Sequence, residues 1–292
     1  MSPEQQWDIV SGVGLTALAV AAGRALETRR PDALVDDPYA LAFLDAAEAP
    51  VPLPTTPEEV AAADGPRELW ALMTEYLGVR SRVFDDFLTG AARAGTTQLV
   101  LLASGLDTRA FRLTWPAGTR CFELDRAPVL DFKLGVLDGQ EARPGCAHVP
   151  VPVDLREDWA AELEAAGFDA TRPTAWLAEG LLPYLPPEAE EQLFKEIDRL
   201  SPAGSALAVE HASGADDLLA DPLLQEGGAA FGIDLPTLLP GGTRRTPQEQ
   251  LAALGWTHET RTARASAEAL GRTLDTAPTT ADRMQHTFAH RP

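Results

Sequence analysis

The sequence predicts an α/β fold built on a mostly parallel, Rossmann-like sheet. Three observations carry this reading. Short apolar runs recur between residues 96 and 211, segments of helical period separate several of them, and the first run ends in a small-residue turn before a short amphipathic stretch. The runs are "TQLVLLAS", "TRCFELD", "AHVPVPVD", "PTAWLAEG" and "GSALAVEH"; the intervening helices include "WAAELEAAG" and "PEAEEQLFKEIDRLSPAG".

Ahead of the sheet, residues 11–30 are rich in Ala and Leu and end with Arg24, Arg29 and Arg30, as suits a helix with cations near its C-terminus. Pro31 and Pro38 punctuate short helical pieces, and "APVPLPTTPEE" reads as a loop or a non-helical crossing. "ELWALMTEYLGVRSRVFDDFLTGAARAG" keeps helical spacing for about seven turns and closes at Gly95. After His211 the pattern breaks into a Gly- and Pro-rich insertion, 212–245, expected to form a lid. Thr246 then caps a helix ending at Gly255, a strand follows, and "RMQHTFAHRP" reads as an edge strand. The expected organisation is one structural unit: a helical cap over 1–95 and a core over 96–292.

The 24 basic and 44 acidic residues give a net charge of −20, a field that repels nucleic acid and anionic lipid. No apolar window is long enough to span a bilayer. The opening "MSPEQQWDIV" lacks the layout of a signal peptide, so a cytoplasmic location is expected. Cys121 and Cys146 form neither a redox nor a metal spacing. The histidines show no ligand pattern, since His286 and His290, four apart in a strand, do not converge; no metal is expected.

In an open α/β sheet, ligands bind beyond the carboxyl ends of the strands. At the first of these ends lie Ala103, Ser104 and Gly105, whose minimal side chains admit close backbone approach. Asp125 follows Gly105 by 20 residues, a spacing at which a carboxylate takes ribose hydroxyls. Asp154 can accept from an adenine amino group, with Leu155 flanking the ring, and Glu179 and Gly180 close the fourth strand. Helix capping competes with function at Asp107, Asp125 and Asp154. Arg80, near Arg82 on its helix, reads by itself as part of a solvated helix face. His211, at the end of the fifth strand, and Tyr184 are the candidates for catalytic groups. Neither a nucleophile elbow nor a Walker loop is present.

In order and spacing, "LASGLDTRAFRL", "FELDRAPVLDFK", "VDLREDWAAEL" and "AEGLLPYLP" resemble the leucine carboxyl methyltransferase family. "GVGLTALAVAAGRALETRRPDALVDDPYA" and "YLGVRSRVFDDFL" resemble its actinobacterial branch of S-adenosylmethionine-dependent methyltransferases. The likeness runs from about residue 11 to the last strand and is loose over 212–245. It implies a class I methyltransferase fold with a seven-stranded sheet and S-adenosyl-L-methionine as cofactor. It further implies Arg80 on the methionine carboxylate, Ala103 to Gly105 beneath the cofactor, Asp125 on the ribose, Asp154 and Leu155 at the adenine, and Glu179 near the amino-acid end. Ala103 departs from the glycine usual at that position.

The expected activity is O-methylation of a carboxylate or acidic hydroxyl on a small molecule, such as a specialised metabolite. A nicotinamide-dependent oxidoreductase and a non-catalytic S-adenosylmethionine-binding protein are the alternatives. The Gly105-to-Asp125 spacing fits the oxidoreductase, but the further glycines and a Tyr-Lys or His-Asp pair are missing.

Overall fold

The computed structural model describes residues 9–10, 12–50, 52–62, 67–214, 238–240, 242–275 and 278–292, and isolated positions between 222 and 229. Helices α1 (Gly12–Thr28), α2 (Ala40–Ala46), α3 (Pro57–Ala62) and α4 (Arg67–Arg93) precede the sheet. The Pro-rich stretch is therefore a loop only to Thr56, where Pro57 opens α3. Proline is suited to the first turn of a helix because its missing N–H would have no partner there. Strands β1 (Gln98–Leu102), β2 (Arg120–Asp125), β3 (Ala147–Pro152), β4 (Thr174–Ala178) and β5 (Ala206–Ala212) alternate with α5 (Arg109–Arg112), α6 (Ala127–Gly139), α7 (Trp159–Ala165) and α8 (Pro187–Arg199). The chain continues through α9 (Pro247–Ala253), β6 (Thr257–Thr262), α10 (Ala263–Ala269), α11 (Pro278–Arg283) and β7 (Met284–His290). Thr246 caps α9 as expected, in a reciprocal pair with Glu249.

The sheet has seven strands in the order β3-β2-β1-β4-β5-β7-β6. β1 to β5 are parallel, and β7 runs antiparallel between β5 and β6. The last strand is thus internal, a correction to its reading as an edge. Thr287 and Ala289 are buried, whereas the charged run Thr257–Thr262 is largely exposed, as an edge strand must be.

Each face of the sheet has its own core. Val100, Leu102, Phe122, Leu124, Trp176 and Leu207 pack under Trp159 and Leu163 of α7, Phe194 and Ile197 of α8, and Leu251 of α9. On the other face Leu99, Leu101, Ala175, Leu177 and Ala208 meet Phe84, Leu88 and Ala92 of α4. A third cluster joins α1, α2 and α6 through Leu18, Ala22, Phe43 and Leu137, and includes Leu106 just past β1. The N-terminal helices are thereby fastened onto the carboxyl ends of the strands.

α1 and α4 approach closely at Gly78, where an added Cβ would lie 2.5 Å from Glu27 Cδ. Glu27 cannot swing away freely, because it accepts from Leu34 N at 2.6 Å and pairs with Arg272. Gly78→Ala is expected to cost about 1–3 kcal/mol by overpacking, read as a lowered urea midpoint with unchanged m-value.

Candidate functional site

Strand register builds the site. Leu102 pairs with Leu124 and Ala178, and Ala178 with Val209. The next residues along β2, β4 and β5, Asp125, Glu179 and Glu210, therefore stand at one level and on one face, the face covered by α4, whereas Ala103, just past β1, packs against the opposite core. This is also where strand order reverses, between β1 and β4. Beyond this rim lies a cavity of about 740 Å³, lined by the β1 turn, Asp125, Arg126, Asp154, Leu155, Glu179, Gly180, Tyr184, Arg80 and one side of α1. Its size falls in the range of small-molecule sites.

The turn after β1 is tightly defined. Ala103 has φ +51° and Gly105 φ +50°. A left-handed alanine costs about 1–2 kcal/mol, so the surroundings must hold it. Ser104 N donates to Leu124 O at 3.0 Å and Gly105 N to Asp125 Oδ2 at 2.6 Å. Asp125 also accepts from Arg126 N at 2.7 Å, but it caps no helix: α6 begins after Arg126 without a side-chain cap. Burial raises the Asp125 carboxyl above its usual range, against these hydrogen bonds. Asp154 is not the cap of α7 either, since Asp158 accepts from Ala161 N in that role. Asp154 instead pairs with Arg156 at 2.5 Å, which holds its carboxyl low, and Leu155 lies beside it on the cavity wall.

Arg80 is buried rather than solvated. Its Nε lies 2.7 Å from Glu179 Oε1 and its Nη1 donates to Glu210 Oε2 at 3.2 Å. Glu210 also accepts from Gly180 N at 2.7 Å and from the Tyr76 hydroxyl. Glu179 is shared with Arg109, whose Nη1 lies 2.7 Å away, and Arg109 pairs further with Asp85 and Asp107. Arg112 completes the network on Asp85 at 2.6 Å. Three guanidinium groups thus face four carboxyl groups, a formal excess of one negative charge. Burial opposes ionisation of Asp107 and Glu179, yet Arg109 beside both holds each below the usual carboxylate range. Asp107 does accept from Arg109 N at 2.7 Å at the start of α5, so it serves helix and network together.

Two side chains read as catalytic candidates are placed differently. Tyr184 lines the cavity and donates to Thr16 Oγ1 at 3.2 Å. His211 points to the opposite face from Glu210, as alternation along a strand requires. There its Nε2 lies 2.9 Å from Thr287 Oγ1 and 3.2 Å from Gln248 Nε2, and it does not line the cavity. Glu210, its neighbour, is one site residue that the sequence reading missed. The signal was available: "AVEH" aligns with "WLAEG" when both strands are counted to their ends. Asp85, Arg109 and Arg112 were missed because nothing local marks their convergence. Most of 212–245, expected as a lid, lies outside the described residues. Of the part described, Leu238 lines the cavity, and Arg244 bonds Glu190 at 2.8 Å and Leu182 O at 3.1 Å.

Arg109→Met removes a cation shared by three buried acids and is expected to cost about 3–5 kcal/mol, seen as a drop of about 10 °C in Tm. A second expectation concerns pH. Burial, then His286, pushes His211 down to about 4; burial, then Arg80, pushes His286 to about 4. The unfolded chain takes up these protons first, near pH 6.5. The contribution of the neutral rings is complete above that pH and lost as pH falls toward about 4. The two imidazoles are expected to give neutral-ring NMR shifts at about pH 5, and His211→Gln to flatten the fall in Tm across this window.

The model of the family described as leucine carboxyl methyltransferase matches residues 17–198. A provisionally named S-adenosyl-L-methionine-dependent methyltransferase of Saccharopolyspora erythraea is 52% identical over 256 residues, 88% of this chain and 87% of that protein. One of Streptomyces coelicolor is 49% identical over 253 residues, covering 85% and 83%. Among solved structures, a provisionally named methyltransferase from Thermobifida fusca aligns with a TM-score of 0.53 at 17% identity, covering 99% of this chain and 98% of that one. A Streptomyces avermitilis protein gives 0.53 at 16% identity, covering 86% and 96%. The two structures are like this chain in fold alone; the matched sequence blocks go further, and the chain belongs to the leucine carboxyl methyltransferase family.

Proposed function

We propose that this methyltransferase transfers the methyl group of S-adenosylmethionine to a carboxylate or acidic hydroxyl oxygen of a small acceptor. The observation that carries the cofactor reading is the turn after β1. Ser104 N and Gly105 N both donate within the protein. They are therefore not offered to a pyrophosphate, which a dinucleotide would require. A phosphate-free nucleoside suits such a turn, and this argues against a nicotinamide cofactor.

The residues present fit S-adenosylmethionine. Asp125 has lone pairs left for ribose hydroxyls after its two backbone bonds. Asp154 and Leu155 would meet the adenine. Arg80 would take the methionine carboxylate, and Asp107 and Glu179 are ionised partners for the ammonium group. The formal negative excess of the network suits a ligand of net positive charge. Bound there, the cofactor supplies an electrophilic methyl group on a sulfonium.

The protein's part is then positioning and exclusion of water. The wall contributed by Val13, Val20, Leu181, Leu185 and Leu238 is apolar, with the Thr16 and Tyr184 hydroxyls set into it. Burial raises the Tyr184 phenol above its ordinary range, so it stays protonated and serves as a donor rather than a base. With His211 off the cavity, neither of these candidates is poised as a general base, which favours an acceptor oxygen that is already ionised.

Titration calorimetry with S-adenosylhomocysteine and NAD side by side tests the cofactor. Binding of NAD but not S-adenosylhomocysteine would overturn the reading. Asp125→Ala is expected to weaken S-adenosylhomocysteine about tenfold or more. For the acceptor, label transferred from methyl-tritiated S-adenosylmethionine into a small-molecule extract should be released as methanol by base if a carboxylate is methylated. It should be retained by a methylated hydroxyl.

A further inference from the structure

α6 carries a lysine with no exposed surface. Lys133 Nζ lies 2.5 Å from Glu123 Oε2, itself fully buried on β2, and 3.4 Å from Ser104 Oγ. His148 of β3 brings Nε2 to 2.8 Å of the same Glu123 oxygen. Glu123 lies two residues before Asp125 on β2, so both point to the same face. A buried ion pair is weak evidence for stability, because its desolvation offsets much of its attraction. Its place is more informative. It sits under Ser104, the middle residue of a turn whose flanking residues are both left-handed. At Ala103, which is not glycine, such backbone persists only where the surroundings over-determine it.

Resting on the S-adenosylmethionine reading, we infer that Lys133, set by Glu123 and His148, is a positioning residue for the cofactor. It holds the Ser104 side chain from below, and so keeps the turn and Asp125 in their binding arrangement. Three tethers then fix this turn to β2 and its helix: Ser104 N to Leu124 O, Gly105 N to Asp125, and Ser104 Oγ to Lys133. The lysine has a second effect. Its charge favours the ionised forms of Asp125 and Asp107, whose burial works against ionisation. Lys133 does not line the cavity, so its influence on a ligand is indirect.

The test is S-adenosylhomocysteine titration on the full chain, with unfolding followed in parallel. Ser104→Ala removes one hydroxyl and is expected to weaken binding about fivefold, with the unfolding midpoint nearly unmoved. The paired variant Glu123→Gln/Lys133→Met removes both charges together, so that no lone ion is left buried. It is expected to weaken binding about tenfold, and adding Ser104→Ala to it is expected to cost little more. Wild-type affinity in Ser104→Ala, or full additivity of Ser104→Ala with the paired variant, would overturn the inference. If the paired variant fails to fold, wild-type affinity in Ser104→Ala still overturns the inference, and so does full additivity of Ser104→Ala with Lys133→Arg. Failure of the wild-type chain to bind S-adenosylhomocysteine would instead remove the cofactor reading, and this inference with it.

Discussion

Parallel pairing in register is the constraint on which the site depends. It sets Asp125, Glu179 and Glu210 at one level of one face. Carboxylates gathered in this way repel one another and resist burial, so the face needs cations from elsewhere. α4 supplies Arg80 and α5 supplies Arg109 and Arg112. The helix that covers the sheet with Phe84 and Leu88 is thus also the helix that brings a counter-charge to the rim. Packing and electrostatics are answered by one element.

The turn after β1 shows the same economy of parts. Its amides are consumed by Leu124 and Asp125, which defines its shape and also what it can receive. An alanine in a left-handed conformation at its start is tolerated because the neighbouring strand grips the next two residues. The floor of the cavity is therefore a product of β2 as much as of β1.

Much of this was legible in sequence. Apolar runs and helix periods located the strands of the sheet and the long helix, and four strand ends named most of the cavity rim. What escaped was tertiary. Glu210 was passed over for His211 because strand-end reasoning does not say which of two neighbours faces the site. Register does. Arg80 read alone as part of a solvated helix face because its partners, Glu179 and Glu210, lie far along the chain, Glu210 at a separation of 130 residues. The order of the last two strands was hidden because β7 enters between β5 and β6, and only the polarity of Thr257–Thr262 hinted that β6 takes the edge.

The contacts of α1 carry a consequence for how the molecule comes together. Arg24 pairs with Asp37 and donates to Leu106 O across 82 residues, Thr108 reaches Asp37, and Tyr184 reaches Thr16 across 168. One wall of the cavity is thus made by α1 and the opposite wall by strands that follow it much later in the chain. Closing loops of this length is slow relative to forming a helix. The cavity has no walls until β1 to β4, whose ends and following segments line it, have emerged and α1 has docked onto them. Anything bound between the two walls then works as a clasp, favouring the docked helix over the loosened one by mass action.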